Sequence, residues 1–89
     1  MARYELKFTG RVQGVGLRYT ASAIAEKYRL TGFVKNEYDG SVTVEVQGAT
    51  EAIDQLVEEI SEGRWIRINE VERTQIPEDP EERGFIVQY

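Results

Sequence analysis

The order in which hydrophobic periodicity changes along the chain is the strongest constraint on its fold. Tyr4, Leu6 and Phe8 alternate with Glu5, Lys7 and Thr9, the period of a strand with one buried face. Leu17, Ala21, Ile24, Ala25 and Tyr28 then recur at helical spacing and predict an amphipathic helix. Gly32 is expected to close that helical region, with Phe33-Val-Lys-Asn36 beginning a second strand. Asp39-Gly40 signals a hairpin, since both residues tolerate positive φ. Val42, Val44 and Val46 alternate with Ser41, Thr43, Glu45 and Gln47 in a third strand that Gly48 ends. Thr50 is the expected N-cap of a second helix with Ile53, Leu56, Val57 and Ile60 as its core stripe, and Gly63 its C-terminal glycine. A fourth strand lies within Ile66 to Gln75, where alternation slips between Ile68 and Val71 and predicts a bulge or an irregular start. A polar, proline-marked loop from Pro77 to Gly84 precedes a short last strand in which Phe85, Val87 and Tyr89 alternate.

This β-α-β-β-α-β order with a short terminal strand predicts the α+β class. The expected architecture is a ferredoxin-like split βαβ sandwich, an antiparallel sheet with two helices on one face. Eighty-nine residues close one core, so residues 1–89 are expected to form a single domain. Such a fold leaves function open, because many activities share it.

Two missing residue types bound the chemistry. The chain has neither cysteine nor histidine, which removes disulfides, thiolate chemistry, the usual zinc sites and the Ser-His-Asp arrangement. No metal or cofactor is expected. Catalysis must run on carboxylates, Arg, Lys, Tyr, amides and backbone groups. The net charge of −5 is unevenly placed: residues 1–36 hold seven Lys/Arg and two Glu, whereas residues 37–89 hold four Arg and fourteen Asp/Glu. Overall acidity argues against nucleic acid as a partner, and the third strand, Ser-Val-Thr-Val-Glu-Val-Gln, lacks the aromatics an RNA-binding sheet needs. The basic first part suits a small anion, though a tuned soluble surface explains the same pattern. No apolar run approaches the roughly 18 residues of a membrane span. The alternating, charged N-terminus reads as a strand and not as a signal peptide. A cytoplasmic monomer without membrane partners is the expectation.

Chemistry concentrates in the connection between the first strand and the first helix, Gly10-Arg-Val-Gln-Gly-Val-Gly-Leu-Arg18. Gly14 and Gly16 let the backbone turn sharply and approach a ligand closely. A loop of this kind points successive N–H groups into one concavity, and the helix that follows adds its partial positive charge. Arg18 supplies a planar fork for two phosphate oxygens. The pattern alone is weak, since a tight connection with a solvated Arg18 reads the same way. The Gly-x-x-x-Gly-x-Gly spacing and the single βα unit do not fit a dinucleotide fingerprint, and no Gly-Lys-Ser/Thr follows for a P-loop.

A second segment, Gly32-Phe-Val-Lys-Asn36-Glu-Tyr-Asp39-Gly40-Ser-Val42, completes a resemblance. Together the two segments resemble the signature motifs of the acylphosphatase family, and the similarity extends over nearly the whole chain in length and element order. The resemblance implies hydrolysis of small acyl phosphates to a carboxylate and inorganic phosphate. It implies a phosphate held by Gln13, Gly14, Val15, Gly16, Leu17 and Arg18, with Arg18 neutralising it, and Asn36 as the catalytic residue that orients the attacking water. The chain departs from the family at Leu17 and Phe33, where an aromatic and a Trp are usual, and at Gly63-Arg-Trp65, where a Gly-Pro element is common. These departures bear on substrate packing or stability and not on the Arg18–Asn36 pair. A similar loop motif marks the acylphosphatase-like domain of hydrogenase-maturation proteins, which handle carbamoyl phosphate, and a silent anion-binding module would share it too. Asp39 and Gly40 are read as turn residues, and Tyr19, Tyr28, Phe33 and Trp65 as packing residues.

Overall fold

The computed structural model describes all residues, Met1–Tyr89. Seven elements follow in chain order: β1 (Ala2–Arg11), α1 (Leu17–Lys27), β2 (Thr31–Asn36), β3 (Val42–Gly48), α2 (Thr50–Ser61), β4 (Arg67–Ile76) and β5 (Phe85–Val87). They form one five-stranded sheet, ordered β4-β1-β3-β2-β5. Both helices cover one face of it, so that Leu6, Phe8, Val34, Val42, Val44 and Val46 meet Leu17, Ala21, Ile53, Leu56 and Ile60 in a continuous core. Removing apolar surface of this kind from water supplies the main driving force for folding.

The sheet is mixed, which corrects the expectation of a wholly antiparallel one. β5 runs parallel to β2, with Gly32 opposite Phe85 and Val34 opposite Val87. The reason lies in the preceding segment: the loop after β4 crosses from one edge of the sheet to the other and enters β5 in the direction of β2. Arg3 anchors this crossing by donating to Glu82, at 2.6 Å, and to Glu45, at 3.1 Å. Gln47 adds a reciprocal pair of hydrogen bonds to the backbone of Asp79.

The broken alternation in the fourth strand is a bulge. Thr9 pairs with Glu70 but Gly10 pairs with Ile68, leaving Asn69 as the extra residue on β4. Two expectations about helix ends are corrected. Ala49, not Thr50, is the N-cap of α2, because the Ala49 carbonyl accepts the first helical hydrogen bond, from Ile53. Arg29, not Gly32, turns the chain after α1: its φ is 59°, and Leu30 N–H reaches back to the Ala25 carbonyl, a Schellman-type ending. Gly32 lies inside β2, where a Cβ would stand 1.9 Å from the Glu45 carbonyl oxygen of β3.

Candidate active site

Strand register places the two sequence motifs at one end of the sheet. β1 and β2 flank β3, both antiparallel to it, and Val42 of β3 pairs with Phe8 on one side and Asn36 on the other. Directly opposed residues share a sheet face. Asn36 therefore shares the helix-covered face with Phe8, Val42 and Val34, all fully buried, yet stands exposed at the strand's end. The Asn36 amide takes part in none of the protein's side-chain hydrogen bonds.

The loop from Val12 to Gly16 links β1 to α1 at the same end. Gly14 and Gly16 adopt left-handed φ of 72° and 82°, with Val15 between them packed against the core. Such alternation of handedness turns consecutive N–H groups toward one side. Gly16 is the N-cap of α1 and no side chain caps it. The backbone N–H groups from Gln13 to Arg18 have no acceptor in the protein; the first amide after them to find one is that of Thr20, on the Gly16 carbonyl. Six uncommitted donors at a helix N-terminus make a strongly anion-seeking surface.

The residues named from sequence are distributed as follows. Gln13, Gly14, Val15 and Gly16 form the loop, and Leu17 opens α1 with its side chain 1 % exposed in the core. Only the backbone of Leu17 is available to a ligand. Phe33 pairs with Glu45 and Ile86 on the sheet face away from the helices, since its neighbours Gly32 and Val34 occupy the covered side. Neither family departure, Leu17 or Phe33, presents a side chain to the loop.

Arg18, the second residue of α1, is half-buried. Its Nη1 donates to the Gln88 carbonyl at 2.9 Å, and its guanidinium carbon lies 4.9 Å from the centre of the Tyr89 ring. Tyr89 is bonded in turn to Tyr19, hydroxyl to hydroxyl, at 2.5 Å, and this contact raises the Tyr89 pKa above its ordinary value. Sequence reasoning missed Gln88 and Tyr89 because the contacts come from the far end of the chain; alternation of Phe85, Val87 and Tyr89 gave the strand but not its neighbour. Tyr19 and Trp65 are corrected from packing residues to surface ones, 61 % and 64 % exposed. Tyr28 and Phe33 are half-buried.

Gln13 plays a part its motif did not announce. Its side-chain Nε2 donates to the carbonyls of Glu37 and Ser41, at 2.8 and 2.9 Å, the two ends of the β2–β3 turn. Asp39 closes that turn by accepting from Ser41 N–H and Oγ and by pairing with Lys7 at 3.2 Å. Its carboxyl is held down to about 2, chiefly by the Ser41 hydroxyl. Elsewhere, a cavity of about 390 Å³ lined by Glu26, Arg29, Leu30 and Phe85 lies at the opposite end of α1 and contains none of these groups. No three His, Cys, Asp or Glu side chains are grouped to hold a metal ion.

Comparison with known proteins agrees with this fold. The family described as Acylphosphatase matches residues 4–87. An acylphosphatase of Clostridium acetobutylicum is 39 % identical over 90 residues, covering 100 % of this chain and 99 % of that protein. The crystal structure of acylphosphatase from Bacillus subtilis superposes with a TM-score of 0.92 at 32 % identity, covering all of both chains. HypF of T. kodakarensis is similar with a TM-score of 0.85 at 32 % identity, over 100 % of this chain and 12 % of that one.

Proposed function

The chain belongs to the acylphosphatase family, and from that premise we propose that its Gln13–Arg18 loop holds the phosphoryl group while Asn36 orients the attacking water. The reaction itself is hydrolysis of the carboxyl–phosphate bond of an acyl phosphate, releasing a carboxylate and inorganic phosphate. The observation that carries the residue assignment is the run of six unengaged N–H groups from Gln13 to Arg18. A phosphoryl group seated there meets these donors and the Arg18 guanidinium, which exchanges the Gln88 carbonyl for phosphate oxygens or shares its five donors between them.

Asn36, with its amide uncommitted, holds a water in line with the scissile O–P bond. The water oxygen bonds to phosphorus as that bond breaks, and its electron pair leaves with the carboxylate. A carboxylate is a good leaving group and needs no protein acid. In a chain without histidine, a phosphoryl oxygen of the substrate takes the water's proton. Catalysis is then positioning and charge stabilisation. One well-aimed oxyanion donor is worth roughly 3 kcal/mol, and an arginine on the transition state about 10³–10⁵ in rate. All of these groups come from one chain, which supports a monomer; we place the enzyme in the cytoplasm on the strength of its cysteine-free composition.

The test is hydrolysis of acetyl, benzoyl and carbamoyl phosphates by wild type, Arg18→Ala and Asn36→Ala. Arg18→Ala is expected to abolish turnover of every substrate with the fold intact by circular dichroism. Asn36→Ala is expected to lose turnover and keep inorganic phosphate as an inhibitor. Near-wild-type turnover in Arg18→Ala overturns the anion role, and loss of phosphate inhibition in Asn36→Ala overturns the water-orienting one.

A further inference from the structure

We infer that the Gln13 side chain is a positioning residue that fixes the phosphate loop relative to Asn36, and so sets the distance between bound phosphorus and its attacking water. The inference rests on the roles proposed above for the loop and for Asn36, and concerns a group that neither role uses.

Phosphate and water are held by separate pieces of chain. The loop hangs from the end of β1, and Asn36 from the end of β2, with β3 between them. The strand pairing ends at Asn36: Val42 is its partner on β3, and beyond that pair only the turn's own backbone bonds join the two arms. The Gln13 amide spans this gap. Glu37, whose carbonyl it engages at 2.8 Å, is the residue next to Asn36, and Ser41, engaged at 2.9 Å, is the residue next to Val42. One nitrogen thus grips both arms of the hairpin immediately beyond the Asn36–Val42 pair, on its turn side.

The chemistry of the contact suits a neutral primary amide. Two carbonyl oxygens need two N–H donors from one point, and a glutamine nitrogen has two. Both carbonyls also accept within the turn, Ser41 from Glu37 N–H and Glu37 from Gly40 N–H, so the amide joins a bonded network in which the turn already has its shape. Gln13 is moreover the first residue of the donor run. Its backbone N–H has no acceptor in the protein while its side chain holds the hairpin, which ties the two halves of the site to each other. In-line transfer depends on that tie, because a displacement of about 1 Å in reacting geometry costs up to about 10²-fold in rate.

The experiment measures kcat for acetyl phosphate and the inhibition constant of inorganic phosphate in four proteins: wild type, Gln13→Ala, Asn36→Ala and the double variant. Gln13→Ala is expected to lower kcat at least about tenfold while phosphate inhibition stays within about twofold, since the N–H run is intact. In the Asn36→Ala background the same change is expected to cost far less, a coupling that marks the two residues as one unit. Gln13→Glu guards against simple misfolding, being nearly isosteric. As a carboxylate it faces two carbonyl oxygens and is repelled; protonated, it recovers one donor, so its rate relative to wild type rises as pH falls. Gln13→Ala with unchanged kcat, equal costs in both backgrounds, or a flat relative pH profile for Gln13→Glu overturns the inference. If Asn36→Ala retains wild-type kcat, the reading of Asn36 falls and this inference falls with it; if Asn36→Ala loses turnover and Gln13→Ala keeps wild-type kcat, only the inference falls.

Discussion

The two ends of the sheet are held by opposite means. Where β1 begins, side chains lock the loop that crosses to β5: Arg3, only 6 % exposed, is bonded to two carboxylates, and Gln47, nearly buried, is bonded twice to Asp79. Where β1 finishes, the loop carries two left-handed glycines with no atom within 4 Å of where a Cβ would point. Its N–H groups are unpartnered, and Arg18 rests on a single carbonyl and a tyrosine face. The buried ionic locks are thus concentrated away from the glycine loop, whose side-chain tie is the Gln13 amide on the β2–β3 turn. An end left short of partners gains most when a ligand supplies them, because binding to the folded state alone stabilises it by mass action.

The largest effect expected from breaking this contrast is at Arg3. Arg3→Ala removes the cation from between Glu45 and Glu82 and leaves two carboxylates facing each other, one of them 14 % exposed. Losing one partner of a buried ionic cluster costs about 3–5 kcal/mol, read as a lower denaturant midpoint with the slope unchanged. Turnover of the folded fraction is expected to change little, because β5 keeps its own bonds to β2 through Gly32 N–H and Gln88 N–H. A loss of turnover that parallels the loss of stability would show that the two ends are not independent.

The same contrast explains what was legible in the sequence. Periodicity announced every helix and strand, and the slip between Ile68 and Val71 announced the Asn69 bulge, because burial of one face is a local property of a segment. The glycine loop was legible for the same reason: φ is set residue by residue. What was not legible is held by contacts distant in sequence. An arginine reads as a surface residue, and only the crossing loop buries Arg3. A three-residue strand does not name its neighbour, so the parallel pairing of β5 with β2 and the seat of Arg18 on Gln88 and Tyr89 had no local signal. Gln13 lay inside a motif yet its side-chain role was hidden, since its acceptors are backbone carbonyls that carry no residue identity.

A smaller effect on stability, and a larger one on activity, is expected at the open end. Gly16→Ala forces an L-residue to a φ of 82°, at about 1–2 kcal/mol. There is room for the methyl group, so relaxation of φ is the only remedy, and relaxation re-aims the N–H groups proposed to hold the phosphoryl group. Misdirecting one such donor costs about 10²–10³ in rate. Hydrolysis of acetyl phosphate and chemical denaturation of the same preparation check the two sides: a deficit of turnover no greater than the deficit of stability would sharpen the comparison against the loop, making its glycines structural.

The smallest effect belongs to Asp39, which sits between the two regimes. It closes the hairpin that Gln13 grips, but on an exposed surface and by charge. Its pKa is depressed from 3.8 to about 2, first by the Ser41 hydroxyl and then by the Ser41 N–H and Lys7. A carboxyl lowered in the folded state binds its proton more readily when unfolded, so its contribution is complete above about pH 4 and is lost as pH falls through about 2. Asp39→Asn keeps an acceptor oxygen for Ser41 and loses the charge. The variant is therefore expected to be slightly less stable than wild type near pH 5, with most of that difference gone near pH 2, in parallel urea titrations. A difference that persists undiminished at the lower pH would mean that the turn is held by the geometry of the acceptor and not by its charge, and that the hairpin bearing Asn36 keeps its shape in acid.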